Sequence, residues 1–161
     1  MKKVLWVEDQ YEDLMDYSSR LARIDYLVEP VKSVSEALER LKKKEYAAYI
    51  FDLKILPGDD LEWQALDERK REEKPQFDPL LGFELLRFLN KANQEKNDLW
   101  KKIKFDFNKV IVFSVVFDKV VYDELQSFGI PEHQIIYKSS SDLDTLAEAI
   151  KEMQNEKTAK K

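Results

Sequence analysis

Five polar residues stand where short apolar runs stop. Val4 to Val7 leads into Glu8 and Asp9, Ala47 to Phe51 into Asp52, Val110 to Phe113 into Ser114, and Ile135 to Tyr137 into Lys138. In an open parallel α/β sheet the carboxyl ends of the strands form the ligand crevice, so residues that follow such runs converge on one place. Three carboxylates, a hydroxyl and an ammonium gathered there suit a divalent cation together with a phosphoryl group. Carboxylates are hard oxygen ligands, while the ammonium and hydroxyl donate to anionic oxygens.

The elements needed to position these residues follow from periodicity. Leu14, Ser18, Leu21 and Ala22 recur at helical spacing after the first run, and Tyr26 to Glu29 is a short second strand. Ser33-Val34-Ser35-Glu36 has the form of a capping box, with Ala37, Leu38 and Leu41 as the apolar stripe behind it. Asp78-Pro79 predicts an N-cap and a proline in the first helical position, opening a helix with Phe83, Leu86 and Leu89 and an end near Lys91. A further helix carries Val121, Leu125 and Phe128 and stops at Gly129-Ile130-Pro131, and a last one places Leu143, Leu146, Ala147, Ile150 and Met153 on one face.

Five strands alternating with five helices predict an α/β fold: a doubly wound five-stranded parallel sheet with helices on both faces. The alternation is interrupted once, by an insertion at about 59–81 between the third strand and the third helix. Its charges, dense from Asp67 to Lys74, predict a solvated helix surface or a loop.

Composition narrows the class. A chain of 161 residues, 43% apolar, builds one core, expected over 1–154, with 155–161 as a flexible basic tail that lacks an apolar stripe. The 32 acidic residues against 27 basic ones leave a charge of −5, which gives no reason to expect nucleic-acid binding. The absence of cysteine excludes disulfides and thiolate metal sites, and the single His133, in a turn, excludes multi-histidine cages. Four apolar residues before Glu8 are too few for a signal peptide, and no stretch approaches a membrane span, so a cytoplasmic location is expected. Trp6 is expected in the core; Trp63 and Trp100, in polar surroundings, are expected to be partly exposed.

The ordered fragments Val7-Glu8-Asp9, Phe51-Asp52-Leu53-Lys54-Ile55-Leu56-Pro57-Gly58, Gly82-Phe83-Glu84-Leu85-Leu86, Val112-Phe113-Ser114 and Tyr137-Lys138 carry a resemblance. In this order, each near a strand end or opening a helix, they resemble the receiver domain of a two-component response regulator, of the single-domain chemotaxis type with its flavodoxin-like fold. The likeness spans about Lys2 to Met153, with 59–81 unmatched. It implies that Asp52 accepts phosphoryl from a phosphohistidine on a sensor histidine kinase or a histidine phosphotransfer protein. It also implies that Mg2+ is held by Glu8, Asp9, Asp52 and the backbone carbonyl of Lys54, and that Ser114 and Lys138 contact the phosphoryl oxygens. The implied protein is a stand-alone signalling domain rather than an enzyme, a monomer or weak homodimer, that reaches an unknown downstream protein by contact or onward phosphotransfer.

Three positions depart from the family pattern. Ile135, three before the lysine, replaces a frequent Tyr or Phe; Val115 follows Ser114 where a small residue is common; Ser139 follows Lys138 in place of a cis proline. A non-proline cis bond costs about 2.5–4 kcal/mol, so the Lys138–Ser139 bond is expected to be trans.

Taken singly, the residues have plainer readings: Glu8 and Asp9 as helix caps, Lys138 snorkelling from a strand end, Ser114 as a strand terminus. Two other functions stay open. One is a phosphorylation-independent pseudo-receiver that serves as an interaction module. The other is a magnesium-dependent phosphohydrolase of the haloacid dehalogenase type, which needs a second Asp two residues after the nucleophile, where this chain has Lys54.

Overall fold

A computed structural model describes residues 1–95, 105–116 and 118–159. Strands β1 (Lys2–Val7), β2 (Tyr26–Val31), β3 (Ala48–Phe51), β4 (Val110–Ser114) and β5 (Ile135–Tyr137) pair in parallel in the order β2-β1-β3-β4-β5. Around them lie α1 (Met15–Ala22), α2 (Val34–Lys43), α3 (Leu61–Glu73), α4 (Leu81–Glu95), α5 (Lys119–Ser127) and α6 (Thr145–Ala159). The predicted fold class is the one observed.

Period-two alternation divides the core. Leu5, Val7, Tyr49, Phe51, Val110 and Val112 pack in one cluster with α2, α4 and α5, whereas Val4, Trp6, Ile50, Ile111 and Phe113 pack in the other with α1 and α6. Strands covered on both faces need continuous apolar sequence, which is why the runs in β1, β3 and β4 were conspicuous.

Local chemistry starts and stops the helices. Ser33 Oγ accepts from the Glu36 amide at 3.2 Å, while the Glu36 carboxylate accepts from the Lys32 amide at 3.1 Å, a capping box displaced by one residue on its return arm. Asp118 caps α5 through the amides of Val120 and Val121. The chain leaves α5 at Gly129, whose φ of +105° is open to glycine at no steric cost.

Three expectations are corrected. The insertion, expected as a solvated helix surface or a loop, contains a full helix, α3, so the described residues hold six α-helices where five were expected. Asp60 Oδ1 caps it, accepting from the amides of Glu62 and Trp63 at 2.9 and 3.1 Å. None of its residues is buried, but Trp63 meets Phe88 of α4 edge-on at 6.0 Å between centroids, and Lys70 pairs with Glu84 at 3.1 Å.

The second correction is that α4 begins at Leu81, so Pro79 precedes the helix. Leu80 O accepts the Glu84 amide at 3.0 Å, and Asp78, expected as the cap, turns its carboxylate to Arg71 and Lys54 instead. The third is that α6 continues to Ala159, beyond its apolar stripe and through the start of the expected tail. Trp100 lies outside the described residues.

Candidate functional site

The sheet places the two central acids side by side. Val7 is in register with Phe51, and one residue further the Asp52 amide donates to Val7 O at 2.9 Å while the Glu8 amide donates to Val31 O at 2.8 Å. Strand order reverses between β1 and β3, where crossover connections diverge and leave a crevice at the carboxyl ends. Glu8 and Asp52 stand in that crevice, 1% and 5% exposed, with half-buried Asp9 beginning the loop toward α1.

Each of Glu8, Asp9 and Asp52 offers a carboxylate oxygen, and these oxygens lie within 4.8 Å of one another. Three convergent hard ligands on one side are the share a protein gives a Mg2+ ion that keeps several waters, so the residues present fit that ion.

Lys138 arrives from β5, where Ser114 is in register with Tyr137. Its Nζ donates to Glu8 Oε2 at 2.7 Å and to Asp52 Oδ2 at 3.2 Å, and it lies 5.6 Å from the centroid of the Phe113 ring. Burial pushes the Glu8 carboxyl up to about 7, nearby Asp52 pushes the same way, and Lys138 offsets them only in part. Burial acts to lower the Lys138 ammonium, but hydrogen bonding to Glu8 and the charge of Asp52 outweigh it and raise it above the ordinary lysine range.

Ser114 is buried at the end of β4, its Oγ accepting from the Val116 amide at 3.2 Å. The Lys54 amide donates to Asp52 Oδ1 at 3.3 Å, so the residue whose carbonyl was expected to face the metal is tied to the Asp52 carboxylate. All five strand-end residues are thus brought to one edge of the sheet, with Lys54 at the rim.

Gly82 heads one of the fragments that carry the resemblance, but sequence reasoning assigned it no role. In the first turn of α4 its amide donates to Leu53 O at 2.9 Å, and a Cβ there would sit 2.0 Å from Asp52 O. The available signal was a glycine inside an amphipathic helix, where propensity disfavours it by about 1 kcal/mol.

The family departures also find their places. Ile135 is half-buried and lines a small apolar cavity beside Ser114, together with Leu53, Val112, Val121 and Leu125. Val115 is half-exposed. The described residues contain no cis peptide, and Lys138–Ser140 forms a short 3-10 turn. His133 stands away from the crevice and pairs with Glu156 at 3.4 Å. Trp6 is fully buried, as expected.

No protein-family model and no curated protein matches the sequence. Solved structures do match the fold. The chain is similar to the receiver domain of the Francisella response regulator 1452, with a TM-score of 0.63 and 16% identity over 98% of this chain and 99% of that one. It is similar to the CheY-like response regulator receiver domain protein of Methanospirillum hungatei JF-1, with a TM-score of 0.57 and 20% identity over 100% and 99%. It also resembles the signal receiver domain of a signal transduction histidine kinase from Syntrophus aciditrophicus, with a TM-score of 0.58 and 19% identity over 95% and 89%. The fold is that of response regulator receiver domains.

Proposed function

We propose that the chain is a receiver that takes a phosphoryl group on Asp52 and signals through protein contact or onward phosphotransfer. The observation that carries this reading is the buried Asp52 carboxylate, hydrogen-bonded to Lys138 and flanked by Glu8 and Asp9 at the reversal of strand order. A carboxylate oxygen of Asp52 attacks the phosphorus of a phosphohistidine; the new bond is P–O, the broken one P–N, and the donor's imidazole, already protonated on its other nitrogen, leaves as the neutral ring. Lys138 meets the charge that spreads over the phosphoryl oxygens, and the Ser114 hydroxyl donates to one of them once it exchanges its contact with Val116. Glu8, Asp9, Asp52 and the Lys54 carbonyl would hold Mg2+, which when bound would neutralise the remaining negative charge.

The donor on this reading is a sensor histidine kinase or a histidine phosphotransfer protein. The chain works in the cytoplasm as a signalling domain without its own small-molecule substrate and without direct contact to nucleic acid. Among the described residues no helix is long and apolar enough to cross a membrane.

Incubation with phosphoramidate and Mg2+ should add one phosphoryl group by intact mass, and Asp52→Ala should abolish it. Asp9→Asn should weaken Mg2+ binding in a titration followed by chemical shift. Ile135, in place of an aromatic switch residue, favours a second reading, an interaction module that works without phosphorylation. A wild-type protein that never acquires the adduct, across a time course fast enough for a labile acyl phosphate, would select that reading.

A further inference from the structure

The insertion reaches the proposed phosphoacceptor through one pair of charges. Lys54, whose amide is bonded to Asp52 Oδ1, extends its ammonium outward to Asp78 at 3.9 Å, and Asp78 is braced by Arg71 of α3 at 3.5 Å. Arg71 in turn is fixed along the helix by Asp67 at 3.2 Å. The chain Asp67–Arg71–Asp78–Lys54 therefore links the added helix to the residue two after Asp52. Asp78 is free for this task because α4 starts beyond it and leaves its carboxylate unused as a cap.

We infer that Asp78 is a positioning residue: it draws the Lys54 ammonium away from Asp52 and thereby sets how long a phosphoryl group survives there. This rests on the receiver reading. The loss step is hydrolysis, in which a water oxygen bonds to phosphorus as the P–O bond to Asp52 breaks, giving orthophosphate and the free carboxylate, with the water's proton released to solvent. Water needs an open path to phosphorus on the side opposite the leaving oxygen. Lys54 is anchored beside the carboxylate, and its four-carbon stem is long enough to fold over a phosphoryl group. Without Asp78 the phosphoryl oxygens become the strongest anionic neighbours of its ammonium, and the folded-back side chain screens phosphorus from water. With Asp78 in place the side chain is drawn to the rim and the path stays open.

The test is a double-mutant cycle on the full chain, with each protein loaded from phosphoramidate and Mg2+ and the decay of the adduct followed by intact mass after the donor is removed. Asp78→Asn should lengthen the phosphoryl lifetime about two- to fivefold, the range an exposed ion pair can exert. Lys54→Met sets its own reference lifetime, and Asp78→Asn should have no effect in the Lys54→Met background. Asp78→Glu should restore the wild-type decay, which a purely structural role for Asp78 would not require. Loading with an unchanged lifetime in Asp78→Asn, or an equal change with and without Lys54, overturns this inference and leaves the receiver reading intact. No loading of the wild type overturns both. A denaturant curve on each variant identifies any that has lost its fold, in which case Asp78→Ser replaces Asp78→Asn in the same cycle.

Discussion

Substituting Gly82 by alanine tests how tightly the end of β3 and α4 are fitted. The new Cβ would begin 2.0 Å from Asp52 O, 2.9 Å from Leu53 Cα and 3.0 Å from Asp52 C, all backbone atoms that no rotamer change can move. Ordinary van der Waals contact requires the first turn of α4 to retreat by roughly 1.5 Å. That retreat stretches the Gly82 N to Leu53 O bond, now 2.9 Å, past the hydrogen-bonding limit. Overpacking costs about 1–3 kcal/mol and the lost bond about 1 more, so the expected loss is about 2–4 kcal/mol. For a chain of this size the melting temperature should fall by roughly 4–16 °C. Gly129→Ala is the control: its φ of +105° adds backbone strain, but the new Cβ meets only Phe107 Cβ at 3.8 Å. Urea and thermal unfolding of both variants decide the matter. If Gly82→Ala stays within about 0.5 kcal/mol of the wild type, or costs less than Gly129→Ala, the argument from close backbone approach is wrong.

Two further outcomes concern pH. Glu8 titrates near 7 in the fold against 4.5 ordinarily, so the folded state retains a proton that the unfolded chain releases, and metal-free stability should fall as pH rises from 4.5 through 7. Glu8→Gln should therefore melt higher than the wild type at pH 8 in a chelator, with the gain shrinking below pH 5; a lower melting temperature at pH 8 would contradict this. For Glu29 burial alone acts to raise the carboxyl, but hydrogen bonds from Lys44, Tyr46 and Lys3 outweigh it and hold it at about 2. Its stabilisation, discounted for solvent to about 1–2 kcal/mol, is complete above pH 4.5 and lost as pH falls toward 2. Glu29→Gln should flatten that acid limb, and an unchanged acid transition would refute the assignment.

The strand runs, the division of the core and the five strand-end residues were legible because a buried parallel strand leaves a continuous apolar signature and its polar terminator marks the crevice. Ser33 and Gly129 were legible too, since capping and left-handed backbone each demand particular residue types. The helix in the insertion was legible only as one of two readings: Trp63 and Leu66 are its inward apolar residues, and its stability comes from the Asp60 cap and from pairs such as Asp67 with Arg71 and Lys70 with Glu84. Periodicity is silent on a helix held by charge. Asp78-Pro79 misled for a related reason, because a cap signature says nothing about competition from Arg71 and Lys54 for the same carboxylate. Gly82 could be recognised only once β3 and α4 were placed together.

Lys138 gives the crevice a cation that cannot diffuse away. With Glu8 ionised, three carboxylates against one ammonium leave two negative charges, the amount a single divalent ion cancels. The tethered charge offsets one of the deepest pair, Glu8 and Asp52, and leaves one charge within that pair and one on half-buried Asp9 at the mouth. While Glu8 keeps its proton, Lys138 balances Asp52 and the interior carries its own counter-charge, so only the charge of Asp9 at the mouth is left to the surrounding solution; once Glu8 ionises, an exchangeable ion is needed in the interior as well.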